Sequence, residues 1–211
     1  DIAEIHLDNG DAKAALTWLE SAEHDYRLDR LLLDAHRKLG NQDKAAEVAW
    51  HSFRRYRDMD GLKTLLSIIG EEKRDEVIAG ETRIILDSER LSDSNATFLI
   101  AVGRMDEAET YILNRAHELD GGSYVTLASM AKTFAHDERW LAASVIYRAL
   151  LDSILARAYS KAYHHGIDYL RALDSLAENI TDWKDFTGHE TYKTSLRRAH
   201  SRKSTFRPKY D

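Results

Sequence analysis

The residue types best suited to chemistry crowd the end of the chain. Arg197, Arg198, His200, Arg202 and Lys203 lie in one short stretch, with Tyr192, Phe206 and Tyr210 around them. Arginine presents a planar fork of donors that fits phosphate, and aromatic neighbours offer faces on which bases stack. These five side chains are therefore candidates for holding an anion, nucleic acid included. A basic amphipathic last helix lying against an acidic body has the same composition, with Phe206 and Tyr210 as packing anchors. Without a recognised nucleic-acid module, the packing reading is preferred.

His164 and His165, with Asp168 three residues on, are the densest group of potential metal ligands. Adjacent helical residues point to different faces, and the His-x-x-x-His spacing is absent, so a structural pair at a helix start is the simpler reading. Cysteine is absent altogether, which excludes disulfides, thiolate zinc sites, iron–sulfur clusters and thiol nucleophiles. The serine-rich stretches 92–95 and 201–205 lack the glycine frame of a nucleophile elbow or a phosphate loop. No catalytic set, cofactor or metal is assigned.

Charge is distributed unevenly. The chain totals -6, but residues 191–211 carry +6, leaving -12 on the remainder. A basic end on an acidic body either meets an anionic partner or folds back on its own chain. No apolar run approaches the roughly 20 residues needed to cross a bilayer, and no signal-peptide pattern is present, so a cytoplasmic protein is expected. The first residue is Asp1 rather than Met, so a longer protein with further N-terminal sequence is expected.

The elements that would position these groups are helices. One proline and ten glycines in 211 residues leave little to interrupt them. A short pattern recurs: Asn9-Gly10-Asp11 leads to Ala15, Gly40-Asn41-Gln42 to Ala45, and Gly103-Arg104-Met105 to Ala108. With Gly70 and His136, the turns fall 30, 30, 33 and 33 residues apart. Apolar residues at helical spacing flank each one, for example Leu28, Leu31, Leu32 and Ala35 before Gly40 and Ala45, Val48, Ala49 and Phe53 after it. Gly80 interrupts the second helix of the third unit and is expected to kink or fray it. From Ser123 to His165 there is neither Gly nor Pro. A break after about Ser153 is nevertheless expected, followed by a new helix through Ile167, Leu170, Leu173 and Leu176. Trp18, Trp50 and Trp140 are expected in the core, and Trp183 either exposed or pinning its loop.

Two helices per unit of about 34 residues resemble the tetratricopeptide repeat, as do Gly10, Gly40 and Gly103 with their alanines. Proline does not close the units as it does in that family. From Tyr159 onward the pattern stops. Tyr163-His164-His165, the Tyr169-Leu170 helix, and the segment from Leu196-Arg197 to His200-x-Arg202-Lys203-x-x-Phe206 resemble the end of an uncharacterised bacterial domain family.

The expected fold is an all-α, right-handed solenoid of about five antiparallel helix pairs over residues 1–156. A helical cap with a basic end, residues 157–211, packs on it as one continuous domain. Stacked pairs leave a concave groove, so the expected role is non-enzymatic: a protein-interaction module holding a protein or peptide, with nucleic acid at the basic segment as the alternative. In the tetratricopeptide family the first helix of each pair faces the groove. The resemblance therefore implies Arg30, Asp34, Arg37 and Lys38 as partner-binding residues.

Overall fold

Four turns of the chain are built alike. At Gly10, Gly40, Gly103 and Glu138 the backbone is left-handed, with φ of 81°, 72°, 76° and 60°. The N–H of each donates to the carbonyl three residues back, at 3.1, 3.1, 3.1 and 3.3 Å. Five residues on stands an alanine at most 1% exposed, namely Ala15, Ala45, Ala108 and Ala143. The N–H of that alanine bonds the carbonyl of Asp11, Asn41, Arg104 or Arg139 and so closes the first turn of the next helix. The left-handed residue ends one helix, and at Ala15, Ala45 and Ala143 the methyl side chain lets the two joined helices approach closely.

In the computed structural model, residues 2–19, 25–157 and 160–200 are described. These turns join α1 (Ile2–Asp8) to α2 (Ala12–Leu19) and α3 (Tyr26–Lys38) to α4 (Gln42–Tyr56). After α5 (Met59–Ile69) and α6 (Arg74–Asp87), they also join α7 (Asp93–Ala101) to α8 (Met105–Asn114) and α9 (Tyr124–His136) to α10 (Trp140–Ala156). The series ends with α11 (Tyr163–Ala177) and α12 (His189–Ala199). Three short 3-10 segments lie between helices, and no strand occurs among the described residues.

The register expected from spacing needs two corrections. His136 is the last residue of α9, and the left-handed position falls two residues later, at Glu138. Gly70 has φ 108° and ψ 133°, which is not the left-handed helical conformation, and it leads into the 3-10 segment Glu71–Lys73. Its step of 30 from Gly40 therefore does not mark another turn of the same kind. Gly80 neither breaks nor ends α6. The expected break after α10 is present, since that helix stops at Ala156 and α11 starts at Tyr163.

The described residues form two units. The first comprises residues up to Ile85 with Phe98–Gly103, and the second Leu86–Thr97 with residues from Arg104 onward. In the first unit α1 packs on α2, α2 on α3, α3 on α4 and α4 on α5, and α1 also meets α3. Ala3, Leu7, Ala15, Leu19, Leu28, Leu31, Leu32 and Ala35 form a continuous cluster. Phe53 and Phe98 meet edge to face at 5.4 Å and are both fully buried. Trp18 departs from expectation at 53% exposed, because Ala12, Ala15 and Leu19 already supply the buried face of the short α2.

In the second unit α10 is central. Leu141 through Arg148 are buried in unbroken succession, as in a helix covered all round, and α8, α9 and α11 pack on it. The boundary expected near residue 157 falls inside this unit, between two helices that pack on each other.

Candidate functional site

α3 begins with Asp25, whose carboxylate accepts the Leu28 N–H at 2.7 Å. Its apolar stripe faces inward, leaving Arg30, Asp34, Arg37 and Lys38 exposed. The three cations reach neighbouring helices. Arg30 lies 4.0 Å from Glu4 on α1, and Lys38 donates to the Leu7 carbonyl at 2.8 Å and stands 3.7 Å from Asp34. Arg37 donates to Ser67 Oγ on α5 at 2.6 Å. Exposed pairs of this kind contribute little stability, so these side chains can exchange partners at small cost.

Of the four, Arg30 alone lines a recess of about 70 Å³. Tyr26 and Asp29 join it from α3, Ala49 from α4, and Asp60 and Thr64 from α5. Tyr26 is 59% exposed and meets Tyr56 edge to face at 5.4 Å, while Asp29 is 2% exposed. Asp58 caps α5 by accepting the Gly61 N–H at 2.7 Å. A Cβ at Gly61 would lie 3.4 Å from the Phe53 ring, so the start of α5 sits close against α4. Asp34, Arg37 and Lys38 lie outside the recess.

At the basic end, Arg197 and Arg198 are exposed in the last turn of α12, and His200 is the half-buried residue that ends it. Arg202 and Lys203 lie outside the described residues, as do Phe206 and Tyr210. Lys193 is engaged: its ammonium donates to Asp174 at 2.8 Å.

The sequence reading missed a buried polar cluster around Arg148 of α10. Its guanidinium lies 4.5 Å from the Trp183 ring centre and 4.6 Å from that of Tyr192, and Nη1 donates to the Thr187 carbonyl at 2.6 Å. Tyr192 donates to Asp152 at 2.8 Å. Burial first, and then the Asp152 charge, push the Tyr192 phenol well above its usual range, so it acts as a neutral donor. Trp183 thereby pins its loop, one of the two roles expected of it.

His189 and Asp174 are the arrangement closest to a catalytic pair, with Nε2 and Oδ1 2.7 Å apart. A general base needs its second nitrogen open to substrate. Nδ1 of His189 is buried, and the ring stacks on Trp183 at an interplanar angle of 9°. The pair therefore fastens α12 to α11. His164 and His165 have ring centres 3.9 Å apart and planes tilted by 40°, Asp168 lies 3.6 Å from Arg171, and no cluster of three potential metal ligands occurs among the described residues.

Compared with known proteins, residues 1–209 match the family of unknown function DUF6880. The chain belongs to that family. The match runs through the glycine turns as well as the basic end, so the family is not confined to the last third of the chain, where the sequence alone suggested one. No curated protein and no solved structure matches the chain. Within this DUF6880 member no helix is long and apolar enough to cross a membrane, among the described residues.

Proposed function

We propose that this DUF6880 chain is a non-enzymatic recognition module. Its helix pairs stack as a right-handed, tetratricopeptide-like solenoid, and a segment of a partner protein carrying lysine or arginine lies across α3 and α5. The supporting observation is the recess between those helices, where Asp29 and Asp60 outnumber the one lining cation, Arg30, with an exposed tyrosine at the lip. Carboxylates beside an aromatic face suit a cationic side chain. The bacterial, cytoplasmic setting expected from the sequence belongs to the same proposal.

The test is a peptide array varied at single positions and probed with the whole chain. Retained peptides enriched in lysine or arginine, with signal lost for Tyr26→Ala and Asp60→Asn, would support the reading. No enrichment, or unchanged capture by both variants, would sink it.

Nucleic acid is the second reading, motivated by Arg197 and Arg198 standing exposed at the end of α12. Phosphate contacts make binding fall steeply with salt. Single-stranded oligonucleotide binding that survives Arg197→Gln with Arg198→Gln, or is insensitive to salt, would exclude it.

A further inference from the structure

The C-terminal end of α10 opens onto a pocket of about 480 Å³, within the range of small-molecule sites. Two apolar side chains of α10 line it, Leu150 at 2% and Ile154 at 9% exposed. Tyr124, the first residue of α9, and Tyr169 of α11 contribute aromatic faces. Burial, then the nearby Asp168 and Tyr124, raise the Tyr169 phenol, which keeps it neutral. Gly121 makes the enclosure feasible: a Cβ there would lie 2.6 Å from Ser153 Cβ, so a larger residue would push the turn off α10.

The polar lining has one sign. Arg157, Lys161, His164 and His165 contribute cationic or titratable nitrogens, and among the described residues no carboxylate lines the pocket. The acidic residues adjacent in sequence are engaged elsewhere. Asp120 accepts the Gly122 N–H, Asp152 accepts the Tyr192 hydroxyl, and Asp168 pairs with Arg171. Among the described residues Arg157 bonds only its own helix, through the Ser153 carbonyl and hydroxyl, and none of the four basic side chains is ion-paired. α9 also starts at this pocket, at Tyr124, and its N-cap residue Ser123 makes no side-chain bond to the first N–H groups, whereas α11 follows directly on the 3-10 turn Ser160–Ala162.

We propose that this pocket binds a small organic phosphate. The phosphate sits among Arg157, Lys161 and the two histidines at the start of α11, and a ring or short apolar body rests on Leu150 and Ile154 between the tyrosines. Two fixed cations, two imidazoles and an uncapped helix start suit a dianion better than a carboxylate. The apolar lining and the volume exceed what a bare ion fills.

The test is calorimetric titration of the whole chain with phenyl phosphate, benzoate and inorganic phosphate. Phenyl phosphate is expected to bind at least about tenfold more tightly than either of the others. The paired change Arg157→Gln with Lys161→Gln is expected to cost about tenfold or more, with helicity unchanged. Tyr124→Ala is expected to weaken phenyl phosphate but not inorganic phosphate, and the exposed Lys132→Gln to change nothing. Absence of phenyl phosphate binding at millimolar concentration overturns the proposal, as does equal affinity of the doubly neutralised chain. Benzoate binding as tightly would overturn the phosphate assignment, and inorganic phosphate binding as tightly would overturn the apolar part.

Discussion

The Arg115 guanidinium lies 4.4 Å from the centre of the Tyr111 ring, and together the two side chains hold the backbone that leads into α7. Tyr111 donates its hydroxyl to the Arg90 carbonyl and accepts from the Ser92 N–H, both at 2.9 Å. Arg115 donates through Nε to the Ser88 carbonyl at 3.0 Å and through Nη2 to that of Leu86 at 2.8 Å. The non-helical segment before α7 is thus held by one tyrosine and one arginine, together with Glu118, which accepts the Leu91 N–H at 3.0 Å.

Tyr111→Phe removes the hydroxyl but leaves its partners buried, at an expected cost of about 1–3 kcal/mol. Arg115→Lys should cost a similar amount, since an ammonium does not reproduce the planar fork. Because both hold one segment, the double variant should lose less than the sum of the two. Urea unfolding of all three variants measures this, and strict additivity would refute the coupling.

Glu81 provides a second test. Its side chain is 2% exposed and accepts from Arg54 Nε at 2.9 Å and Arg57 Nη2 at 2.6 Å. Glu81→Ala removes the buried carboxylate to which the largely buried Arg57 guanidinium donates and is expected to cost about 3–5 kcal/mol. Arg54→Ala should cost about 1 kcal/mol or less, because that side chain is half exposed and Arg57 stays paired. Comparable losses in thermal or urea unfolding would contradict this division.

The shared turn predicts opposite signs at two positions. Nothing lies within 4 Å of a Cβ placed on Gly40, so Gly40→Ala isolates the backbone cost of a left-handed L-residue, about 1 kcal/mol of destabilisation. Glu138→Gly removes the same strain and should stabilise by a comparable amount, less the extra chain entropy glycine brings to the unfolded state. If Glu138→Gly destabilises instead, the glutamate side chain is contributing something beyond its backbone conformation.

These turns also show what the sequence could and could not reveal. Gly10, Gly40 and Gly103 were legible because glycine and alanine there answer a local backbone demand. Glu138 escaped because the demand was met by an unfavoured residue, and Gly70 misled because glycine satisfies several backbone conformations. For the recess, Arg30 was legible through its place on α3, whereas Asp29 and Asp60 were not. Glu81, Arg115 and Arg148 were invisible to apolar periodicity, since each side chain bonds a group far along the chain, Arg57 for Glu81, the Ser88 carbonyl for Arg115 and the Thr187 carbonyl for Arg148.

Asp174 carries the pH prediction. Partial burial alone would raise its pKa, but hydrogen bonds from Lys193 and His189 outweigh that and lower it below the usual aspartate value. A carboxyl with a lowered native pKa binds fewer protons folded than unfolded. Its stabilisation is therefore complete above the unfolded value of about 4 and is lost as pH falls through the native one. Asp174 is 41% exposed, so solvent screens much of the effect, and the direction is what the test reads. Asp174→Asn should flatten the acid limb of the stability profile and remove the carboxylate that His189 and Lys193 share, while Lys193 keeps Glu190 at 3.8 Å. Asp168→Asn, which loses only the exposed pair with Arg171, should keep the wild-type slope. Urea midpoints measured from neutral pH down to about pH 3 decide the matter: an acid limb unchanged by Asp174→Asn would mean that the bond between α11 and α12 does not depend on this charge.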